Sequence, residues 1–376
     1  MSAPVKVVHL VEDMKVGGAE RVIASIARGL DPGRYAPEVW CLARGGAVAD
    51  ELAAEGRRVR VLDIATYRNP ANFLRLARLL SREGVALLHA HGYYGGVLGR
   101  VAGRLAGLKA VLYHVHSTHW CLDRRHKLIE RALSRWTDRI VCCSEAVRRF
   151  VVEEERVAAA KALVVHNGVD VAAFDASGRR AAARMELGIS PDAFVAGVLG
   201  RLAEVKGHRF LVEAAGSLAA DLPGLRLLFV GDGPLRGDLA GQAEALGIRD
   251  RVIFAGERPD VPRFLAAMDA LLLPSMSEGL SVALIEGMAS GLPAIGTDVG
   301  GNPELIADGE SGILCKPADP ASLAAALRRL VLDEGLRRAM GEAGRRIARE
   351  RFSLAGMMGK IEALYAEILE SKGAQR

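Results

Sequence analysis

Short runs of β-branched and leucine residues recur along the chain, and Ala/Leu/Arg-rich stretches separate them. In the first half, these runs predict strands at residues 5–11, 38–42, 59–62, 86–89, 110–114, 139–142 and 162–165. Strands that alternate with helical stretches are typical of βαβ units. The right-handed crossover rule then places helices on both faces of a parallel sheet.

A second series of apolar runs begins after a polar stretch at 175–191 and predicts strands at 194–199, 225–230, 252–255 and 270–273. The pattern therefore predicts an α/β protein with two doubly wound, Rossmann-like domains, at residues 1–170 and 171–353. We expect the terminal helix, within 354–376, to return to the first domain. The carboxyl ends of both sheets should face a central cleft, where ligands bind in this architecture.

Composition narrows the class of protein. The chain has 376 residues, half of them hydrophobic, and five cysteines without CxxC spacing, which we expect to be reduced. We find no signal-peptide pattern and no apolar run of the ~20 residues that a membrane span needs, so we expect a cytoplasmic protein.

Charge is distributed unevenly along the chain. Residues 1–170 carry 26 Lys+Arg against 18 Asp+Glu, a net of +8, whereas the remainder carries a net of −3. A basic face attracts anionic lipid, phosphate-bearing ligands or nucleic acid, although it can also be merely a solvated surface. No recognition-helix or aromatic-rich RNA motif is present, so we do not expect nucleic-acid binding.

A basic stretch at 123–139 also carries the apolar residues Leu128, Ile129, Leu133 and Trp136. This combination fits an interfacial helix on an anionic membrane surface, which would make the protein peripheral on the inner face of the cytoplasmic membrane. The alternative, slightly favoured by the pattern alone, is an ordinary helix that packs its apolar stripe inward.

Two cations follow the first strand of the second series. In the segment Gly200-Arg201-Leu202-Ala203-Glu204-Val205-Lys206-Gly207, Arg201 and Lys206 lie between a predicted strand and a predicted helix. Two fixed cations there could stabilise the charge that develops on a departing diphosphate. The alternative is a surface arginine and a surface lysine.

Two carboxylates frame a second strand-to-helix connection. Glu278 lies in a Pro/Ser/Gly-rich stretch at 274–281, and Glu286 lies in the helical run 282–290 that follows. Small residues at a helix start expose N–H groups to phosphate. Eight positions correspond to about 80° around an ideal helix, so both carboxylates could face one side and accept hydroxyl groups.

These segments resemble the retaining, nucleotide-sugar glycosyltransferases of family 4, which have the two-domain GT-B fold. Glu278 and Glu286 match the family's Glu-x7-Glu element, and Arg201 with Lys206-Gly207 matches its diphosphate-binding pair. Further matches run in family order along nearly the whole chain: Gly17-Gly18-Ala19-Glu20-Arg21, His116, Ser144-Glu145, Asn167-Gly168-Val169-Asp170, Gly231-Asp232-Gly233-Pro234 and Gly300-Gly301-Asn302-Pro303-Glu304.

The resemblance implies an acceptor-side first domain and a donor-binding second domain. The catalytic residues that it implies are His116, Arg201, Lys206 and Glu278. The donor-binding residues that it implies are Gly17, Gly18, Gly256, Arg258, Gly279, Leu280, Ser281 and Glu286. The donor would be a UDP- or GDP-linked sugar with no other cofactor, and the acceptor a hydroxyl group, for example on a lipid-linked or cell-envelope glycan in polysaccharide biosynthesis.

Histidines cluster at two predicted strand ends: His89 and His91, then His114, His116 and His119. Imidazole groups bind zinc. We nevertheless expect no metal, because HExxH and paired cysteines are missing and acidic partners are sparse. The resemblance gives His116 the donor sugar as its contact, with His91 as a neighbour, and leaves His114 and His119 for local packing or the acceptor side.

The chemistry is expected to be metal-independent and retaining. No Asp-x-Asp pattern is present, and no carboxylate is nominated as the nucleophile that a retaining hydrolase needs. The resemblance implies front-face transfer, in which the leaving phosphate assists deprotonation of the acceptor. A nucleotide-sugar epimerase, a phosphorylase and a catalytically silent nucleotide-sugar-binding subunit remain alternatives.

Overall fold

The computed structural model describes residues 3–64, 66, 68–118, 123–175 and 178–373. His119 lies outside these ranges. The chain divides into two units, residues 1–167 with 355–376, and residues 168–354. The sequence placed these divisions at 170/171 and 353/354, a few residues away.

The first unit contains a parallel sheet with strand order β3-β2-β1-β4-β5-β6-β7. Its strands are β1 (Val5–Val11), β2 (Tyr35–Cys41), β3 (Arg58–Val61), β4 (Leu87–His91), β5 (Ala110–Val115), β6 (Arg139–Cys142) and β7 (Ala162–Val164). The order reverses between β1 and β4, which are neighbours.

Helices cover both faces of this sheet, as parallel strands require. They are α1 (Gly18–Gly29), α2 (Ala47–Ala54), α3 (Pro70–Arg82), α4 (Gly92–Leu105), α5 (Arg124–Leu133) and α6 (Glu145–Arg149).

The second unit repeats the design with strand order β10-β9-β8-β11-β12-β13. Its strands are β8 (Phe194–Leu199), β9 (Leu225–Val230), β10 (Val252–Gly256), β11 (Ala270–Leu273), β12 (Ala294–Thr297) and β13 (Gly312–Cys315). Its helices are α7 (Arg180–Glu186), α8 (His208–Ser217), α9 (Arg236–Ala245), α10 (Val261–Ala267), α11 (Val282–Ala289), α12 (Asn302–Leu305), α13 (Pro320–Leu332) and α14 (Glu334–Arg351). The predicted pair of parallel-sheet α/β domains is thus confirmed.

Two details of the second unit differ from the sequence expectation. The pattern does not predict the four-residue strands β12 and β13. The sequence also predicts a helical segment at about 320–349, and the structure has two helices there, because the Asp333 carboxylate accepts a hydrogen bond from the N–H of Leu336 and begins α14. Asp is a strong N-cap residue, so it starts a new helix at that point.

The last helix, α15 (Leu354–Ser371), packs on the first unit. The hydroxyl of Tyr365 lies 2.7 Å from Nδ1 of His89, and Arg139 pairs with Glu367 at 2.6 Å. Its buried face, which includes Ile361 and Leu369, completes the hydrophobic cover of that sheet.

Helix α5 departs from the inward-packing expectation. Leu133 is buried, but Leu128, Ile129 and Trp136 are 64%, 36% and 45% exposed. What fixes the helix is instead a buried ion pair, in which Arg100 on α4 donates to Glu130 at 2.7 Å. Among the described residues, no helix combines the length and apolar composition needed to cross a bilayer.

Candidate functional site

The candidate donor site lies where the strand order of the second unit reverses, between β8 and β11. In doubly wound sheets, loops at the carboxyl ends of such neighbouring strands form the ligand crevice. The loops here are 200–207 after β8 and 274–281 after β11, and the N–H of Met276 donates to the carbonyl of Val205 at 2.7 Å. The backbone thus holds the two loops side by side.

Two hydrogen bonds from these loops meet on one oxygen of Glu278. Lys206 Nζ lies 2.6 Å from Oε1, and Ser275 Oγ donates to the same atom at 2.6 Å. Glu278 is 9% exposed, so its charge is largely removed from water and depends on these partners. Two residues singled out from the sequence, 72 positions apart, are therefore in contact.

Glycines make this close approach possible. Gly207 has φ +63°, and a Cβ there would overlap the carbonyl oxygen of Pro274. Gly300 has φ +53°, and a Cβ there would overlap the carbonyl oxygen of Glu278. Only glycine adopts these conformations without strain and leaves the room that the neighbouring backbone occupies.

Arg201 lies in the same loop as Lys206, with its side chain exposed to solvent. Its carbonyl oxygen accepts a hydrogen bond from Nε2 of His208 at 3.2 Å. Burial lowers the pKa of His208 to about 4, so the ring is neutral near pH 7. The buried imidazole anchors the loop, and the guanidinium of Arg201 remains available to an anion.

The small residues after Glu278 lead into α11. Gly279, Leu280 and Ser281 are buried, and Ser281 Oγ accepts from the N–H of Leu284 at 3.2 Å as the N-cap. Glu286 lies in the second turn, half-buried. Because α11 begins at Val282, Glu278 is in the loop and the 80° helical displacement expected between the two carboxylates is wrong.

Gly256 is the last residue of β10 and Arg258 follows it; β9 separates β10 from β8. Arg258 Nε donates to the carbonyl of Ala255 at 2.9 Å, and its guanidinium lies 5.4 Å from the ring centroid of Phe264. The structure therefore does not bring these two residues into contact with the Lys206–Glu278 pair; they lie two strands further along the same sheet edge.

In the first unit, Gly17 is the N-cap of α1 and Gly18 its first residue. A Cβ on Gly17 would overlap the carboxylate of Glu20. Arg21 forms a two-bond ion pair with Glu51 on α2 at 2.6 and 3.2 Å, which fixes the helix. The two glycines therefore lie at the N-terminus of α1, at the end of the connection that follows β1.

His116 follows β5, and its Nε2 lies 3.1 Å from Nδ1 of His91. His91 in turn lies 3.0 Å from Nδ1 of His9, a residue that the sequence analysis missed. Desolvation by burial lowers the pKa values of His9, His91 and His114, that of His9 to about 3. No spacing signal reveals His9, because it joins the others only through strand pairing of β1 with β4.

The sequence does not predict the roles of two further residues, Ser275 and Thr297. Ser275 lies within the Pro/Ser/Gly-rich stretch at 274–281, but its hydrogen bond to Glu278 is seen only in the fold. Thr297, at the end of β12, donates to the carbonyl of Ser275 at 2.6 Å and so holds the loop. A buried Ser or Thr after a strand carries no distinctive sequence pattern.

Comparisons with known proteins agree on one class. The profile described as Glycosyltransferase Family 4 matches residues 16–173, and that described as Glycosyl transferases group 1 matches residues 179–347. The putative glycosyltransferase EpsD of Bacillus subtilis is 31% identical, over 81% of this chain and 82% of its own.

Another relative is the UDP-Gal:alpha-D-GlcNAc-diphosphoundecaprenol alpha-1,3-galactosyltransferase of Escherichia coli, which is 29% identical over 82% of each chain. Among solved structures, Anabaena HepE in complex with UDP and glucose superimposes with a TM-score of 0.88. It is 23% identical, with 96% of this chain and 100% of that chain covered. This last likeness concerns the fold.

Proposed function

Because the chain belongs to glycosyltransferase family 4, we propose that it moves a sugar from a nucleotide-diphosphate donor to a hydroxyl acceptor, with retention and without a divalent metal. Glycosyl transfer and the GT-B fold are the family's properties. The donor, the stereochemistry and the metal independence are the proposal, and the observation that carries it is the convergence of Lys206 and Ser275 on Glu278.

Lys206 and Arg201 are assigned to the donor diphosphate. Both lie on one loop at the carboxyl end of β8, one of them paired with Glu278 and the other exposed. As the glycosidic bond breaks, negative charge grows on the leaving diphosphate, and fixed cations stabilise it without reorganisation. The N-terminus of α11 adds backbone N–H groups, which carry partial positive charge and also attract phosphate. These groups take the electrostatic role of a metal ion.

Glu278 is assigned to the hydroxyl groups of the transferred sugar. Among the described residues, the hydrogen bonds made to its carboxylate both end on Oε1. Oε2 is then the atom that accepts from the sugar, while Lys206 and Ser275 hold the group in place. Glu286, in the second turn of α11, is assigned to the ribose diol of the nucleotide.

His116, Gly17 and Gly18 complete the assignment from the first unit. His116, whose Nε2 lies 3.1 Å from Nδ1 of His91, is assigned to the transferred sugar on the strength of the family resemblance. Front-face transfer is part of the proposal, with the departing phosphate oxygen taking the acceptor's proton. UDP is the first nucleotide to test, because the E. coli relative is named as a UDP-galactose enzyme and HepE is described with UDP.

A turnover panel tests the proposal directly. The purified full chain is incubated in EDTA with UDP-, GDP- and ADP-sugars, and the anomeric configuration of the product is read by NMR. We expect release of one nucleoside diphosphate, an α-linked product from an α-linked donor, and loss of turnover in Glu286→Ala. Glu342→Ala, at an exposed glutamate of α14, is the matched control.

Two results would contradict parts of the proposal. Turnover that EDTA abolishes and that Mg²⁺ or Mn²⁺ restores would refute metal independence at the diphosphate. An inverted product would refute retention. Conversion of the donor sugar without any acceptor would favour an epimerase, and binding without turnover of any donor would favour a silent subunit.

The acceptor is proposed to be lipid-linked, presented at an anionic membrane surface. Helix α5 and the turn after it expose Leu128 and Trp136 beside the exposed Arg124, Arg125 and Arg131. Apolar side chains enter the headgroup boundary, and each nearby cation adds about 1 kcal/mol on an anionic leaflet. The E. coli relative is named for a diphosphoundecaprenol acceptor.

Liposome flotation tests this surface. We expect binding to vesicles containing anionic lipid, little binding to neutral vesicles, and a clear reduction in Leu128→Ser with Trp136→Ser. Leu332→Ser changes a leucine that is equally exposed, at 66%, on the second unit and should bind as the wild type does. Equal flotation with neutral and anionic vesicles would contradict the assignment.

A further inference from the structure

Five imidazoles gather on one face of the first unit's sheet, where its strand order reverses. His9 on β1 pairs in register with His89 on β4, and His91 pairs in register with His114 on β5. His116 follows two residues later. Because residues two apart on a strand share a face, strand register alone brings the five rings together.

The rings of the four histidines on the strands are at most 1% exposed, yet several of their nitrogen atoms make no hydrogen bond to another described residue. Within the described ranges, no hydrogen-bond partner is found for Nε2 of His9, for Nε2 of His89 or for either nitrogen of His114. Buried polar atoms are normally satisfied, and each orphan costs about 1–3 kcal/mol. Such unpartnered nitrogens, on rings that lie close together, point to a ligand that accepts lone pairs.

We propose that His9, His89 and His91 bind a divalent transition-metal ion, with Zn²⁺ as the ion that they suit best. One ligand nitrogen from each ring lies within 4.8 Å of the other two. Zn²⁺ binds imidazole nitrogen at about 2.0–2.1 Å and is often held by three protein ligands and an open fourth position.

Hydrogen bonds outside the triad already orient two of the rings. The Tyr365 hydroxyl lies 2.7 Å from Nδ1 of His89, which leaves Nε2 as the ligand atom. Nδ1 of His91 lies 3.1 Å from Nε2 of His116, and its Nε2 lies 3.0 Å from Nδ1 of His9, a hydrogen bond that binding of the ion would replace. Metal-bound histidines nearly always donate their second N–H in this way.

A second triad, formed by His91, His114 and His116, also has its ligand atoms within 4.8 Å. We place the ion in the first triad because its three rings are the more deeply buried and because Tyr365 supports it from α15. The site is distinct from the donor diphosphate, whose assigned residues lie in the second unit.

Metal content tests the proposal independently of turnover. The untagged full chain is expressed in zinc-supplemented medium, because fully buried rings load most readily during folding, and zinc is measured by mass spectrometry. We expect one Zn²⁺ per chain, and less than a tenth of that in His9→Gln and in His89→Gln. His126→Gln, at a partly exposed histidine of α5, is the control and should keep the full amount.

Tyr365→Phe keeps all three ligand residues and removes only the hydroxyl that lies beside Nδ1 of His89. It therefore tests the site even if the histidine variants do not fold. Competition with a chromophoric chelator should show affinity about 10–100-fold weaker than that of the wild type. His114→Gln should keep its zinc. Absence of stoichiometric metal in the folded wild type would overturn the proposal, as would loss in His114→Gln with retention in His9→Gln.

Discussion

Replacing Gly207 with alanine should separate the two loops that form the donor site. Gly207 lies at φ +63° at the N-terminus of α8, and the added Cβ would overlap the carbonyl oxygen of Pro274. The left-handed conformation costs an alanine about 1–2 kcal/mol. The overlap involves backbone atoms, so it can be relieved only by moving loop 274–281 away from Lys206.

The expected loss of activity is larger than the loss of stability suggests. In the wild type, Nζ of Lys206 lies 2.6 Å from Oε1 of Glu278. A misplacement of about 1 Å in a reacting site can lower the rate on the order of 10²-fold. We therefore expect kcat/KM for donor turnover to fall by about 10²-fold in Gly207→Ala. Steady-state kinetics and urea unfolding of the same preparation measure the two effects.

Gly188 supplies the matched control. It has nearly the same backbone angle, φ +65°, but a Cβ there meets nothing within 4 Å. Gly188→Ala should lose the same 1–2 kcal/mol of stability from the strained angle and keep its turnover. Near wild-type kcat/KM in Gly207→Ala, or an equal loss of turnover in Gly188→Ala, would refute the reasoning.

Other parts of the site give further predictions. Arg201→Ala should lower kcat about 10²–10³-fold because it removes a cation from the leaving diphosphate, whereas Arg329→Ala on α13 should not; equal effects would contradict the assignment. His208 has a pKa of about 4 against 6.5 for the free side chain, so its contribution to stability is complete above pH 6.5 and is lost as the pH falls toward 4. The stability difference between wild type and His208→Gln should therefore shrink by about 2 kcal/mol between pH 7 and pH 5 in urea titrations, and a constant difference would count against a neutral, buried ring. Ser281→Ala should cost about 1 kcal/mol of unfolding free energy through loss of the N-cap bond to Leu284, and an unchanged urea midpoint would show that the cap is immaterial.

Most of the fold could be predicted because buried parallel strands have a simple signature. A strand covered on both faces needs apolar side chains on both, so Phe194–Leu199 is a continuous apolar run and Leu225–Val230 is interrupted only by Arg226. The strands Ala294–Thr297 and Gly312–Cys315 have four residues and contain glycine. Too few side chains remain in them for a periodicity to emerge.

The candidate site was predictable as a set of residue types but not as a geometry. Arg201, Lys206 and Glu278 stand out because charged residues after apolar runs at strand ends are unusual. The contact of Lys206 with Glu278 depends on β8 being paired with β11, a long-range fact that no local pattern encodes. The helical angle assumed for Glu278 failed for a local reason: Ser281 is the N-cap of α11, so the helix begins only after Glu278.

The histidine cluster shows most clearly which residues a sequence pattern does not single out. Four of its members occur as His-x-His pairs, and the pattern brings those to attention. His9 stands alone in β1, and only the pairing of β1 with β4 places it 3.0 Å from His91. A cluster assembled across strands has to be found in the structure.

Equilibrium binding of nucleotides in EDTA, to the wild type and to Glu286→Ala, tests most directly whether the second unit binds a nucleotide-sugar donor without a metal. Thermal-shift titrations with UDP, GDP and ADP, and with their sugar conjugates, measure it on one sample. We expect one nucleotide family to raise the Tm of the wild type, by an amount that grows with ligand concentration, and the shift to be lost in Glu286→Ala. No shift with any nucleotide, or an equal shift in Glu286→Ala, would contradict the assignment of the donor site.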